Sequence, residues 1–390
     1  MSYRALARSV PVPFLPLGLL ARLPYAMTPL GTLLVLEPAG GHTFAGLAAG
    51  AQSVAIAVSG LAAGALAARF GARRLGMVLA VLNALAVLGL VLASDRPAMF
   101  AAAVLVGLTQ PHVGLLVRVH WAAALGGSPL LRTGFAYEGA VDELSFVLGP
   151  AVVGLLAVGG SWPLLGMAVL LVGAALPLST MYSHVGGGVR GGGRVPWAPM
   201  TVLTVGMAAV GAVFGSVQVA VTASAGNAGG RYALLGLGSV VAGVAYAWLP
   251  ARFGVRARYV TFSATLVAGM MVLAFGARDW PAPAILAAGV VIAPYMITLY
   301  TLTETVTPRA GLPLAMGVLG AGGPVGTAVG QAVTGRLVDT AGLTAAWFAP
   351  LGCAAVGLVV ALLGRSRVTP PSRRRPWRRG TGPAGCRPPS

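Results

Sequence analysis

Lysine is absent from this 390-residue chain, acidic residues number only 8, and charged residues together make up 9% of it. A soluble domain carries about 25% charged residues. Hydrophobic residues reach 57% and the mean hydropathy is +0.86, so there is too little polar surface to cover a globule in water. The chain has to face lipid. Its two cysteines, Cys353 in an apolar run and Cys386 in the tail, support neither a disulfide framework nor a metal site. Without lysine there is no phosphate-binding G-x-x-x-x-G-K-[ST] loop, and no H-E-x-x-H or G-x-S-x-G string occurs. These absences argue against nucleotide-driven work, against hydrolytic catalysis, and against any metal or cofactor.

What is present is arginine and long apolar runs. The net charge of +18 comes from 26 Arg residues that sit mostly in short loops and in the tail, which reads as topology rather than nucleic-acid contact. The apolar runs predict twelve helices, over 11–36, 43–67, 76–94, 98–125, 134–158, 163–182, 199–223, 231–250, 259–276, 283–304, 313–337 and 344–364. A span needs roughly 20 apolar residues, and its backbone groups must be paired within the segment, which makes it a helix. Twenty of the Arg residues fall on one side of this topology and four on the other, so both termini are expected in the cytoplasm and the protein in the plasma or inner membrane. The run that follows Arg4 and Arg8 is about 25 residues long with no small-residue cleavage site after it, so it reads as a span and not a cleaved signal.

The chain also echoes itself. Ala-Arg-Phe-Gly stands at 68–71 and again at 251–254; G-x-A-V-x-G runs from Gly149 to Gly154 and from Gly330 to Gly335; Pro111 and Pro294 each interrupt an apolar run. The offsets are nearly equal and the order is kept, which predicts two copies of one unit. Such duplication places a central site between two halves. The fold expected is all-α and integral to the membrane, with twelve transmembrane helices in two pseudo-symmetric six-helix bundles: residues 1–182 and 199–364. A Gly-rich cytoplasmic linker (183–198) joins them, and an Arg- and Pro-rich tail (365–390) follows, expected to be disordered and near anionic headgroups.

Several of these strings resemble signatures of the major facilitator superfamily. Gly64-Ala-Leu-Ala-Ala68-Arg69-Phe70-Gly71-Ala72-Arg73-Arg74, after helix 2, is similar to its loop signature G-x-L-x-D-R-x-G-R-R. Trp248-Leu-Pro-Ala251-Arg252-Phe253-Gly254-Val255-Arg256 stands where the weaker repeat belongs. Gly149-Pro150 looks like the Gly-Pro element of the antiporter-type motif. Gln110-Pro111-x-x-Gly114-x-x-x-Arg118 and Glu138-x-x-x-Asp142-Glu143-x-x-Phe146-x-x-Gly149-Pro150 resemble actinobacterial efflux-type permeases most. The resemblance implies alternating access, helices 1, 4, 7 and 10 around a cavity, and helix 1 beside helix 5. It also implies a gating loop at Gly64, Arg69, Gly71 and Arg73, with Arg252 and Gly254 in the repeat. The chain departs from it at Ala68 and Ala251, where the family's Asp takes part in a latch on the cytoplasmic side. The same Arg residues are also accounted for by topology alone.

Ionisable groups inside spans are costly and therefore candidates for function. They are Arg22 (helix 1), Arg118 (helix 4), and Glu138, Asp142 and Glu143 (helix 5). Glu138 and Asp142 share a face; Glu143 points about 100° away. Arg118 is placed to pair with Glu138 or Asp142, and Arg22 reaches the same cluster if helix 1 flanks helix 5. Two positive and three negative charges leave one carboxyl over, which is what proton coupling needs. The competing reading is a structural tie between helices 1, 4 and 5, with Glu138, the shallowest, merely interfacial. His112 and His120 in helix 4 are side chains of the type that titrates near neutral pH; His112 is a candidate for the cavity, with a packed imidazole as the competing reading, and Glu304 is expected to be interfacial.

Pro24 and Pro29 in helix 1, Pro111 in helix 4 and Pro294 in helix 10 each remove a backbone donor, so breaks are expected there, beside a cavity. Tyr25, Gln110, His112, Gln218, Tyr295 and Tyr300 are the expected pathway residues. The reading is a secondary transporter, not an enzyme, whose partners are a small organic solute, protons and the bilayer, with no nucleic acid. Proton-coupled efflux comes first; a uniporter or importer of a small metabolite, and a transport-inactive scaffold or sensor, stay open. The substrate and the oligomeric state are not legible.

Overall fold

The computed structural model describes residues 3–368 apart from 126, 129, 158, 183–192, 225 and 249–253. No strand occurs among the described residues. After a short helix at Tyr3–Arg8, the first span, α1, comprises Phe14–Leu20 and the beginning of Leu23–Phe70. That long element turns at Gly40 and Gly41, and its remainder is α2. The other spans are α3 (Ala72–Leu92), α4 (Arg96–Leu108 and Val113–Ala124), α5 (Leu130–Leu156) and α6 (Trp162–Thr180, with a π turn at Leu171–Ala175). The second half holds α7 (Trp197–Thr222), α8 (Ala228–Ala245), α9 (Val255–Gly276) and α10 (Pro281–Val290 and Ile292–Val306). Within Leu312–Ala346 the chain is non-helical at Gly342; the part before it is α11, and the part after it with Ala349–Gly364 is α12.

Ten stretches are long and apolar enough to cross a membrane; Phe14–Phe70, at 57 residues, holds two spans, and the shorter Ala349–Gly364 completes twelve. At about 1.5 Å per residue a 57-residue rod would be more than twice a bilayer core, so the turn at Gly41 is obligatory. Gly41 has φ +72°, open to glycine at little cost. The protein is thus a multi-pass membrane protein of two six-helix bundles. Both described ends lie on one face of the bilayer, called here the terminal face.

The echo G-x-A-V-x-G shows its meaning in the packing. In the first half, a methyl on Gly149 would fall 2.6 Å from Ala26 Cβ of α1, and one on Gly154 would fall 2.3 Å from Asn227 Oδ1 at the start of α8. In the second half, a methyl on Gly330 would fall 2.1 Å from Ala212 O of α7, and one on Gly335 would fall 2.3 Å from His42 O at the start of α2. In each copy the first glycine seats the helix on its own half's leading helix. The second seats it on the other half's second helix. Small residues allow this approach where lipid supplies no hydrophobic drive between helices.

The breaks fall close to the prolines but not always on them. The α1 break is at Ala21 and Arg22, with Pro24 in the first turn of the segment that follows, while Pro29 lies in unbroken helix. In α4 the interruption covers Gln110, Pro111 and His112, and in α10 it falls at Val291, leaving Pro294 in the first turn of the following segment where its missing N–H costs nothing. Gly71 turns α2 into α3 at φ +82°, but Gly254, its counterpart, has φ −58° and no need of glycine; Arg252 and the rest of that echo lie outside the described residues. So do most of the linker (183–192) and the tail from 369 onward.

Candidate functional site

The five intramembrane charges separate into a closed cluster and one carboxylate apart from it. Arg22, at the α1 break, donates Nη1 to Gly18 O at 2.7 Å, Nε to Asp142 Oδ1 at 2.6 Å, and Nη2 to Glu138 Oε2. Arg118 of α4 donates Nη2 to the other Asp142 oxygen, Oδ2, at 2.5 Å. Trp121 Nε1 donates to Glu138 Oε1 at 2.8 Å. Asp142 is therefore gripped by one guanidinium on each oxygen, and α1, α4 and α5 are tied at one level. Two positive charges meet two negative ones.

Glu138 is not interfacial. It is the most buried carboxylate of the cluster, 1% exposed, covered by Trp121 and, beyond it, Phe14 with ring centroids 5.3 Å apart. Its depth along α5 is readable from residue count, but its lateral cover comes from α1 and α4. Glu143, turned away on α5, is the carboxylate left over. It faces a cavity between the two halves, and among the described residues no hydrogen bond or ion pair reaches it.

The cavity has a volume of about 270 Å³. The first half contributes Tyr25, Ser53, Ile56, Glu143 and Phe146; the second contributes Phe214, Gln218, Tyr232, Met296 and Tyr300. A smaller space of about 170 Å³ shares Tyr25, Ile56, Gly320 and Pro324 with it and runs on past His112, Gly60 and Gly317 toward the terminal face. There the halves diverge: a methyl on Gly64 of α2 or Gly317 of α11 would meet nothing within 4 Å. At the other end of the same two helices, one on Gly46 would lie 2.4 Å from Gln331 O. The structure is wedge-shaped, open toward the terminal face and shut on the opposite one.

Two polar assemblies shut it. The floor of the cavity is a chain of hydrogen bonds across both halves. Ser53 Oγ of α2 donates to Gln331 Oε1 of α11 (3.0 Å), Gln331 Nε2 to Gln218 Oε1 of α7 (2.9 Å), and Gln218 Nε2 to Tyr232 OH of α8 (3.0 Å). Farther out, the Asp339 carboxylate at the end of α11 accepts the backbone N–H groups of His42 (3.3 Å) and Thr43 (2.7 Å) in the first turn of α2. His42 Nδ1 is 3.2 Å from the same carboxylate, and its Nε2 is 3.9 Å from Glu37. Negative charge at a helix N-terminus satisfies orphan donors and meets the positive end of the dipole.

Of the expected pathway residues, Tyr25, Gln218 and Tyr300 line the main cavity and His112 the smaller space, its Nε2 3.0 Å from Ser59 Oγ. Two do not. Tyr295 is fully buried in the second bundle, stacked on Tyr259 and donating to Gly206 O at 3.1 Å. Gln110 is fully buried at the α4 break, with neither amide atom hydrogen-bonded among the described residues. Their helices are those expected around a cavity, but both side chains turn into their own bundle. His120 packs among Phe14, Trp121 and Tyr182, and Glu304 is exposed. In the last turn of α2 Arg69 lies over the Phe70 ring at 5.2 Å, and in the first turn of α3 Arg74 is exposed while Arg73 is half-buried; Gly71 alone separates the two helices.

Ser53, Tyr232, Gln331, Asp339 and Trp121 were not singled out from sequence. Gln331 had a signal, a polar residue inside an echoed motif; nothing along the chain pairs Asp339 with residues 42 and 43.

No protein-family model and no curated protein sequence matches the chain. Solved structures do. A point-mutant form of the nucleoside transporter NupG superposes with a TM-score of 0.74 at 14% identity, covering 90% of this chain and 98% of that one. The human organic anion transporter MFSD10 gives 0.64 at 19% identity, with 91% and 99% covered, and a D-xylose-proton symporter gives 0.68 at 14%, with 90% and 95% covered. The chain shares the twelve-helix fold of these transporters.

Proposed function

We propose that the protein is a secondary transporter that exports a small organic solute by alternating access, driven by proton exchange. It would work in the plasma or inner membrane with both termini in the cytoplasm. The observation that carries this reading is the cavity between the halves, open to one face and sealed from the other, with an unpaired carboxylate in its wall. Neighbours of this fold include a nucleoside transporter and a proton symporter for xylose, which supports solute movement as the work of the cavity. Glu143 is the group that exchanges the proton. Arg22, Arg118, Glu138 and Asp142 hold α1, α4 and α5 as one body, so that a change at Glu143 is passed to the half as a whole. The loop of Gly64, Arg69, Gly71 and Arg73 acts as the gate on the terminal face.

The test is flux in proteoliposomes under an imposed pH gradient, with a chemically mixed solute panel. Solute movement should follow the gradient and stop with a protonophore. Asp142→Asn, which removes one of the two anions facing Arg22 and Arg118, should cut flux at least about tenfold with an unchanged elution profile and helix content. Flux indifferent to the gradient overturns the coupling. No flux for any solute overturns transport and leaves a scaffold or sensor.

A further inference from the structure

The charge ledger of the cavity is uneven. Arg22 and Arg118 are matched by Glu138 and Asp142, and among the described residues lining the main cavity Glu143 is the one acid, with no Arg in the lining. Glu143 is exposed to the cavity space, and no positive side chain stands among the lining residues to match it. Around it stand three aromatic rings from three helices, Tyr25 of α1, Phe146 of α5 and Tyr300 of α10, with the Tyr25 and Phe146 rings edge-to-face at 6.1 Å. Phe146 and Tyr300 are exposed to the same space, and ring faces attract cations at exposed as well as at desolvated sites. At about 270 Å³ the space falls just below the usual range of ligand pockets, about 300 to 1,000 Å³. It suits a solute of one or two rings.

We propose that the cavity takes an amphiphilic organic monocation, its charged nitrogen beside Glu143 and its rings among Tyr25, Phe146 and Tyr300. This deepens, and rests on, the reading of the cavity as a transport site. Glu143 then has two alternative counter-charges, a proton or the solute. A cation entering the protonated site breaks only the carboxyl O–H bond, and the proton leaves to water on the open face. The exchange is one for one. The ionisable groups around Glu143 are Asp142 before it on α5, Tyr25 on α1, Tyr300 on α10 and Tyr232 on α8; Arg118 of α4 reaches Tyr300 electrostatically but is committed to Asp142.

Calorimetric titration of the purified full-length protein in detergent at pH 8 tests this with three probes of one shape: 1-methyl-4-phenylpyridinium, neutral 4-phenylpyridine and biphenyl-4-carboxylate. The cation should bind at least tenfold more tightly than either of the others. Its affinity should fall as the pH is lowered, with about one proton released per cation bound at acidic pH. Glu143→Gln should weaken the cation at least tenfold and leave 4-phenylpyridine unchanged, while Glu143→Asp keeps most of the preference. Equal affinity for cation and neutral probe, preference for the carboxylate, or an unchanged cation affinity in Glu143→Gln overturns the proposal. The wild-type comparison decides even if a variant fails to fold. Flux of a neutral or anionic solute alongside no cation binding sinks the cation class but keeps the transporter; absence of all flux sinks the transporter itself.

Discussion

Asp339 and Thr43, 296 residues apart in the chain, meet where the carboxylate of the one accepts the backbone N–H of the other at 2.7 Å. The contact joins the end of α11 to the first turn of α2, and so the second half to the first, on the shut face. At the terminal face Ala68, not an acid, stands before Arg69. Among the described residues, the acid that reaches a helix end between the halves is thus on the other side of the membrane.

Asp339→Asn keeps the shape and removes the charge. An anion at a helix N-terminus contributes about 0.3–1 kcal/mol, or up to about 2 when partly buried. The variant should therefore shift the population toward opening of that face by a few-fold. Spin labels placed across the ends of α2 and α11 would report a longer distance gaining weight; an unchanged distribution would refute the latch.

Arg22 should matter to stability far more than Arg118. Arg22 is 4% exposed and serves two carboxylates, one of them itself 1% exposed; Arg118 is 41% exposed and serves one. Removing one member of a buried pair costs about 3–5 kcal/mol, because the partner charge is left stranded. Arg22→Met should lower the melting temperature in detergent strongly, Arg118→Met little. The double change Arg22→Met with Glu138→Met should recover part of the loss, and a double variant no better than the single one would show that Glu138 is not stranded.

The paired glycines give a symmetric test. Gly154→Ala and Gly335→Ala each force a methyl into a 2.3 Å gap at an inter-half seam, whereas Gly317→Ala meets open space. The two seam variants should raise labelling of a cysteine in the cavity by an impermeant thiol reagent from the sealed face, and by similar amounts; Gly317→Ala should not. Unequal effects would break the equivalence of the two halves.

The floor adds a fourth. Gln331→Leu leaves Ser53 and Gln218 without their shared partner, and each buried group so orphaned costs about 1–3 kcal/mol. Solvent should then reach the floor from the sealed face, seen as faster amide exchange in α7 and α11 around residues 218 and 331; exchange equal to wild type would count against a sealing role.

Composition, length and repetition along the chain were enough to establish the solvent, the number of spans and the duplication, and to name the five charges inside the spans. Those properties are one-dimensional. Hydrocarbon admits only helices of a set length, and any ion inside them stands out against an apolar background. The tertiary structure alone decided that Glu138 is sealed and Glu143 free, that Tyr300 faces the cavity and Tyr295 the bundle, and that Asp339 caps α2. Each of these depends on how a helix is rotated about its own axis against partners more than a hundred residues away. In spans that are apolar on every side, no stripe of residues along the chain records that rotation.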